Sequence, residues 1–191
     1  MASRLRFLKY EVKDLLEVVH AFCVEILLKV VITEENKMYS PNLFIRKATP
    51  NDTVAIVAVI APFVEDVIAH QQGRKQFTPE VIQTIFERED IHYFVAELEQ
   101  EIVGVVAYLE PAHLMHFFLI KALHGQGSGT AMWNFIEAKI KRQSVHSITV
   151  NSSFYAQPIY EKFGFVVTGG AMEKKGIHFI PMIKTYGCEA T

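Results

Sequence analysis

The chain has 191 residues, 50% of them hydrophobic and 21% charged, which suits one compact domain with a real core and excludes a disordered chain. Nineteen Lys+Arg against twenty-one Asp+Glu leave a formal charge of −2. No basic field is available for non-specific phosphate binding, so no nucleic-acid partner is expected. The two cysteines, Cys23 and Cys188, frame neither a disulfide scaffold nor a Cys-rich zinc site, and read as reduced thiols of a cytoplasmic protein.

The first forty residues stand apart. Leu8, Val12, Leu15, Val19, Phe22 and Ile26 recur at spacings of four and three, the stripe of an amphipathic helix. Glu17, His20, Glu25 and Lys29 interrupt the apolar run, so a membrane span is not expected. Asp14 and Glu17 argue equally against a signal peptide. Acidic and basic residues are balanced, unlike a membrane-surface helix. Residues 1–41 therefore read as a helical extension that docks on its own domain or on a second subunit in a homodimer. Met38 as the biological start is the alternative.

From position 42 the punctuation is regular. Residues 43–48 read as a strand, closed by Thr49-Pro50, and an apolar-periodic helix runs on to about His70. A polar loop over 70–79 carries Gly73, Arg74 and Lys75, and Thr78-Pro79-Glu80 opens a second helix to about Arg88. Strands follow at 91–98, 101–109 and 113–120, the first two joined tightly by Glu99-Gln100. A Gly-rich turn at 125–129 leads into a helix to about Arg142 with Met132, Phe135, Ile136 and Ile140 on one face. A strand at 146–151, a short helix at 154–163 and strands at 164–169 and 176–184 complete the chain. This order predicts an α/β domain over 42–191 with one mixed, largely antiparallel central sheet flanked by helices. A ligand belongs beyond the carboxyl ends of the strands that feed helices.

Gly125, Gly127 and Gly129 alternate between an apolar strand and an amphipathic helix. That spacing lets backbone N–H groups turn around an anion, backed by the helix N-terminus. It is not a nucleotide P-loop, because Thr130-Ala131 follows where Lys and Ser or Thr are needed. It is not a dinucleotide fingerprint either, because Thr130 occupies the third glycine's position. Downstream, Asn151 and Ser153 end a strand where their side chains can cap the next helix, and Tyr160 lies on that helix.

These two segments resemble the motifs of the GCN5-related N-acetyltransferase (GNAT) superfamily. Its Arg/Gln-x-x-Gly-x-Gly/Ala loop appears as His124-Gly125-Gln126-Gly127-Ser128-Gly129, and its second element runs from Ser153 through Ala156 and Tyr160-Glu161 to Gly164-Phe165. His124 departs from the usual Arg or Gln, and Ser153 from the usual Asn. The resemblance covers residues 43–185 and implies the acyl-CoA N-acyltransferase fold. It also implies acetyl-CoA as co-substrate and transfer to a primary amine of a small molecule or peptide. The pyrophosphate would rest on the N–H groups of Gln126, Gly127, Gly129 and Thr130. The pantetheine arm would lie along Phe117, Phe118 and Leu119, whose end offers an oxyanion N–H. Tyr160 would protonate the departing thiolate.

The base is open among Glu65, Glu110, His113 and His116, with His116 preferred for its ordinary pKa. His113 and His116, three apart on a strand, face opposite ways and cannot share a metal, so no metal is expected. The alternative to catalysis is a CoA-binding sensor or interaction module.

Overall fold

The computed structural model describes residues 43–187, all within one unit, Ser40–Thr191. The expectations for the N-terminal helix, Met38 and both cysteines lie outside the described residues. In chain order the elements are β1 (Phe44–Lys47), α1 (Thr53–Ile60), α2 (Val64–Val67), α3 (Gln71–Arg74) and α4 (Pro79–Phe86). Three strands follow, β2 (Ile91–Leu98), β3 (Glu101–Leu109) and β4 (His113–Leu119). Then come α5 (Ser128–Lys141), β5 (Ser147–Ser152) and α6 (Gln157–Lys162), with β6 (Val166–Val167), β7 (Met172–Lys174) and β8 (Ile177–Thr185) closing the chain.

The sheet runs in the order β1-β2-β3-β4-β5-β8-β6, with β7 paired to β8. Every pairing is antiparallel except β4 with β5. The mixed, largely antiparallel α/β architecture is thus as the element order implies. β2 and β3 read as almost unbroken apolar runs because both their faces are covered. On one face Phe94, Val106 and Leu114 pack against Met132, Trp133, Ile136 and Ile140 of α5. On the other, Tyr93, Val95 and Val105 pack against Ile56 and Ile60 of α1 and Ile82 and Ile85 of α4. The Glu99-Gln100 turn places both residues at positive φ, 51° and 71°, the geometry whose twist matches a tight hairpin.

Three local departures follow from chemistry the periodicity hides. The helix expected to reach His70 is broken into α1, a 3₁₀ turn at Ala61–Phe63 carrying Pro62, and α2, and it ends at Val67. Pro62 removes an N–H from the helix ladder, and the tighter turn absorbs the loss. The polar loop holds the one-turn helix α3. β7 was not expected as a strand, since Met172, Glu173 and Lys174 are all exposed and carry no apolar alternation.

The segment after α2 is pinned to the β7–β8 hairpin. The Ala69 N–H donates to the Gly176 carbonyl at 2.8 Å, Ile68 bridges Ile177, and the His70 ring meets Glu173 at 3.0 Å. Gly73 lies so close that a Cβ there would stand 2.1 Å from the Gly176 carbonyl oxygen. The obstacle is backbone, so the loop must move to admit a methyl group. Gly73→Ala is therefore expected to destabilise the domain by about 1–3 kcal/mol, an overpacking cost. Thermal unfolding should show a fall of several degrees; an unchanged midpoint would mean the hairpin is not held by this contact.

Candidate active site

β4 and β5 pair over only two steps, His113 with Thr149 and Leu114 with Val150. Beyond them β4 continues to Leu119 and β5 to Ser152 without pairing to each other, and the sheet opens. Backbone alternation says which groups this frees. The Ile120 N–H donates to the Val103 carbonyl of β3 at 2.9 Å, so the N–H and C=O of Leu119 face the other way, into the opening. The Leu119 carbonyl is met there by Nε2 of His124 at 2.8 Å.

The glycine loop forms the floor beside this strand end. Gly125 and Gly127 have φ of 74° and 85°, values that a side chain would strain, and Gly127 caps the fourteen-residue α5 in that left-handed conformation. Successive turns of this kind present N–H groups to one side, and the helix dipole adds partial positive charge. A Cβ at Gly125 would meet nothing within 4 Å, so the space before it is open. The cradle therefore fits a pyrophosphate.

A second wall comes from the segment joining β5 to α6. Ser153 Oγ accepts the Ala156 N–H at 3.1 Å and shapes the approach to α6. Tyr160 is buried, its ring 6.3 Å from Phe117 and 5.5 Å from Phe165, and its hydroxyl has no hydrogen-bond partner among the described residues. Burial raises its pKa above the ordinary phenol value, so it stays protonated.

The third wall escapes sequence reasoning. Phe63, Asp66 and Val67 line the same cleft, of about 680 Å³, as Phe117, Phe118, Leu119, His124, the three loop glycines, Thr130, Ser153 and Tyr160. Positions i, i+3 and i+4 share a helix face, which is the signal that could have revealed them. Phe63 packs 5.8 Å from Phe118 and stacks at 6.1 Å on His124, so this wall touches both β4 and the glycine loop.

Four expected residues lie elsewhere. His116 is buried on the same face of β4 as Phe118, its Nδ1 2.8 Å from the Tyr93 hydroxyl and its ring against Phe77 and Phe118. It does not line the cleft. Asn151 is exposed within β5, opposite Pro181. The Gln126 side chain turns back to the Ala122 carbonyl, and Ser128 is fully buried with its hydroxyl unpartnered. None of these three side chains lines the cleft. Of the other candidate bases, Glu110 holds His92 at 2.6 Å, His113 holds Thr149 at 2.8 Å, and Glu65 is engaged by Arg74 at 2.7 Å.

Comparison with known proteins identifies the family. The family model described as an acetyltransferase (GNAT) domain matches residues 60–186. The chain belongs to the GNAT acetyltransferases and is an acyltransferase. Solved structures share its fold. A GCN5-related N-acetyltransferase from Rhodopseudomonas palustris is 20% identical with a TM-score of 0.63, covering 78% of this chain and 98% of its own. The PaiA N-acetyltransferase of Thermoplasma acidophilum, solved with coenzyme A, is 16% identical with a TM-score of 0.61, over 76% and 99%. A ribosomal-protein-alanine N-acetyltransferase from Brucella melitensis is 20% identical with a TM-score of 0.59, over 75% and 99%. Among the described residues no helix is long and apolar enough to cross a membrane.

Burial pushes the His116 imidazole down to about 4 from an ordinary 6.5. Between those values the unfolded chain binds a proton that the folded protein does not. Stability from this site is complete above pH 6.5 and falls as the pH drops towards 4, by about 3 kcal/mol in all. Denaturant unfolding of wild type and His116→Gln from pH 7.5 to 4 should show a steeper acid loss in wild type. Parallel curves would show that His116 is accessible to protons in the folded state.

Proposed function

We propose that the protein transfers the acetyl group of acetyl-CoA to a primary amine of a small molecule or peptide, by direct attack in a ternary complex. The observation that carries this reading is the freed Leu119 N–H at the strand opening, with the glycine cradle on one side and the Tyr160 hydroxyl on the other. Gly127, Gly129 and Thr130 would receive the pyrophosphate on their N–H groups. Phe117 and Leu119 would pair with the pantetheine arm as an added strand. Bound there, acetyl-CoA supplies an activated acetyl thioester.

The Leu119 N–H donates to the carbonyl oxygen as negative charge gains on it, a preorganised donor that needs no rearrangement. Tyr160 hands its proton to the departing sulfur. His116 stands in this reading as a packing residue behind the acceptor wall, and the amine sheds its proton to water. His124 supplies no constant cation to the pyrophosphate; its imidazole instead ties the loop to the Leu119 carbonyl.

The first test is thermal unfolding with acetyl-CoA. Ligand at about 100 times its dissociation constant adds roughly 2.7 kcal/mol, so the midpoint rises with concentration. No rise at millimolar ligand removes the reading, and binding without CoA release on any amine would favour a sensor. Tyr160→Phe is expected to lower kcat by roughly 10²-fold or more with acetyl-CoA affinity unchanged. Unchanged turnover would remove Tyr160 from the mechanism.

The pH profile follows from the raised Tyr160 pKa. An acid that stays protonated gives no alkaline loss, so kcat/KM rises as the free amine deprotonates and then levels off. A fall between pH 8 and 10, absent in Tyr160→Phe, would contradict this.

A further inference from the structure

The cleft carries a second message, about what approaches the thioester. Asp66 is the only carboxylate among the described residues that line it. Its neighbour Glu65 is held by a forked pair with Arg74, whereas Asp66 has no hydrogen bond or ion pair among the described residues. Around Asp66 the wall is apolar: Phe63 and Val67 from the same helical face, and Phe118 from β4, whose ring lies 5.8 Å from that of Phe63. The charged or titratable groups near this wall are few. Lys121 already covers the Phe63 ring at 5.5 Å, His124 is engaged by Leu119, and Lys162 belongs to the α6 side.

We infer that the acceptor is a small aryl-alkyl primary amine, its ammonium held by Asp66 and its ring packed against Phe63 and Phe118; this deepens, and rests on, the acetyl-transfer reading above. The alternatives fit the chemistry less well. A polyamine would set a second ammonium against Phe63, Phe118 and Val67, where no second carboxylate meets it. An amino sugar would set its hydroxyls against Phe63, Phe118 and Val67, whose side chains offer them no partner. One charge beside one apolar surface describes an aryl-alkyl amine.

The reaction balances without further reactants. The ammonium held at Asp66 loses one proton to water before attack and a second as the C–N bond forms. The C–S bond breaks, the sulfur leaves with the Tyr160 proton, and Tyr160 regains one from water. One amide, one thiol and one released proton result.

The test uses the full chain, acetyl-CoA and a thiol-release assay on 2-phenylethylamine, spermidine, glucosamine and a tetrapeptide with a free N-terminus, with acetyl-CoA affinity measured separately by calorimetry. The expected result is a kcat/KM for 2-phenylethylamine at least about 10-fold above each of the others, the step that one good apolar contact supplies. Asp66→Asn should raise KM for 2-phenylethylamine by about 10-fold or more, leave acetyl-CoA affinity unchanged, and be partly rescued by Asp66→Glu. Equal or faster turnover of spermidine, the sugar or the peptide overturns the inference, as does an unmoved KM in Asp66→Asn. Loss of acetyl-CoA binding in wild type would instead overturn the transfer reading and this inference together, so the two failures are distinguishable.

Discussion

The site depends on two strands that begin to pair and then stop. β4 and β5 are parallel neighbours for two residues, and each is anchored on its far side by an antiparallel partner, β3 for one and β8 for the other. Those outer ladders hold the strands in their own directions, so the opening cannot zip shut. A parted strand exposes backbone groups that must find partners, because an unpaired buried N–H or carbonyl costs as much as a lost hydrogen bond. The Leu119 carbonyl finds His124, while its N–H faces the cleft. An unfilled donor at the end of a strand is the feature on which an oxyanion can settle, and it exists because the sheet is incomplete.

His124 explains how a departure from the family motif is tolerated. Arg or Gln at this place would reach towards the anion. The imidazole reaches back instead, to the Leu119 carbonyl, and stacks on Phe63. One side chain thus braces the glycine loop against both the strand end and the helical wall. In the proposed function the anion is left to the backbone of the loop and the dipole of α5, which do not depend on the identity of residue 124. The change exchanges a constant charge for a mechanical link between the loop, the strand end and the helical wall.

Much of this was legible in the residues, and the misses have physical causes. The strand and helix order, the Gly125-to-Gly129 turn and the place of Tyr160 follow from periodicity and motif spacing, which report local backbone needs directly. The helical wall did not show, because a run such as Ala55–Val67 is apolar nearly all round and gives no hint of which face is core. Phe63, Asp66 and Val67 line the cleft directly after the break at Pro62. β7 was invisible for the opposite reason, since an exposed two-strand ribbon needs no apolar alternation. His116 attracted attention as a titratable group on the central strand, yet two residues back from Phe118 on the same face it is packed under Tyr93 and Phe77. Chemical type was readable from the sequence there, whereas side-chain direction was not.

The same alternation bears on the order of chemical events. Phe117 points to Tyr160 and Phe163 on the α6 side, and Phe118, its neighbour, points to Phe63 and Phe77 on the helical side. One strand therefore presents one face to the α6 wall and the other to the helical wall, with Leu119 at the end where they meet. An enzyme that parked the acetyl group on itself would need a nucleophile at that junction. Among the described residues the cleft lining holds no cysteine, and the Ser153 hydroxyl accepts the Ala156 N–H. With both walls converging on one backbone N–H, the amine and the thioester can be held together. In the proposed reaction proximity does the work that a covalent intermediate would otherwise do, and effective molarities of about 10⁵ M or more show how large that advantage becomes when the reacting atoms are aligned.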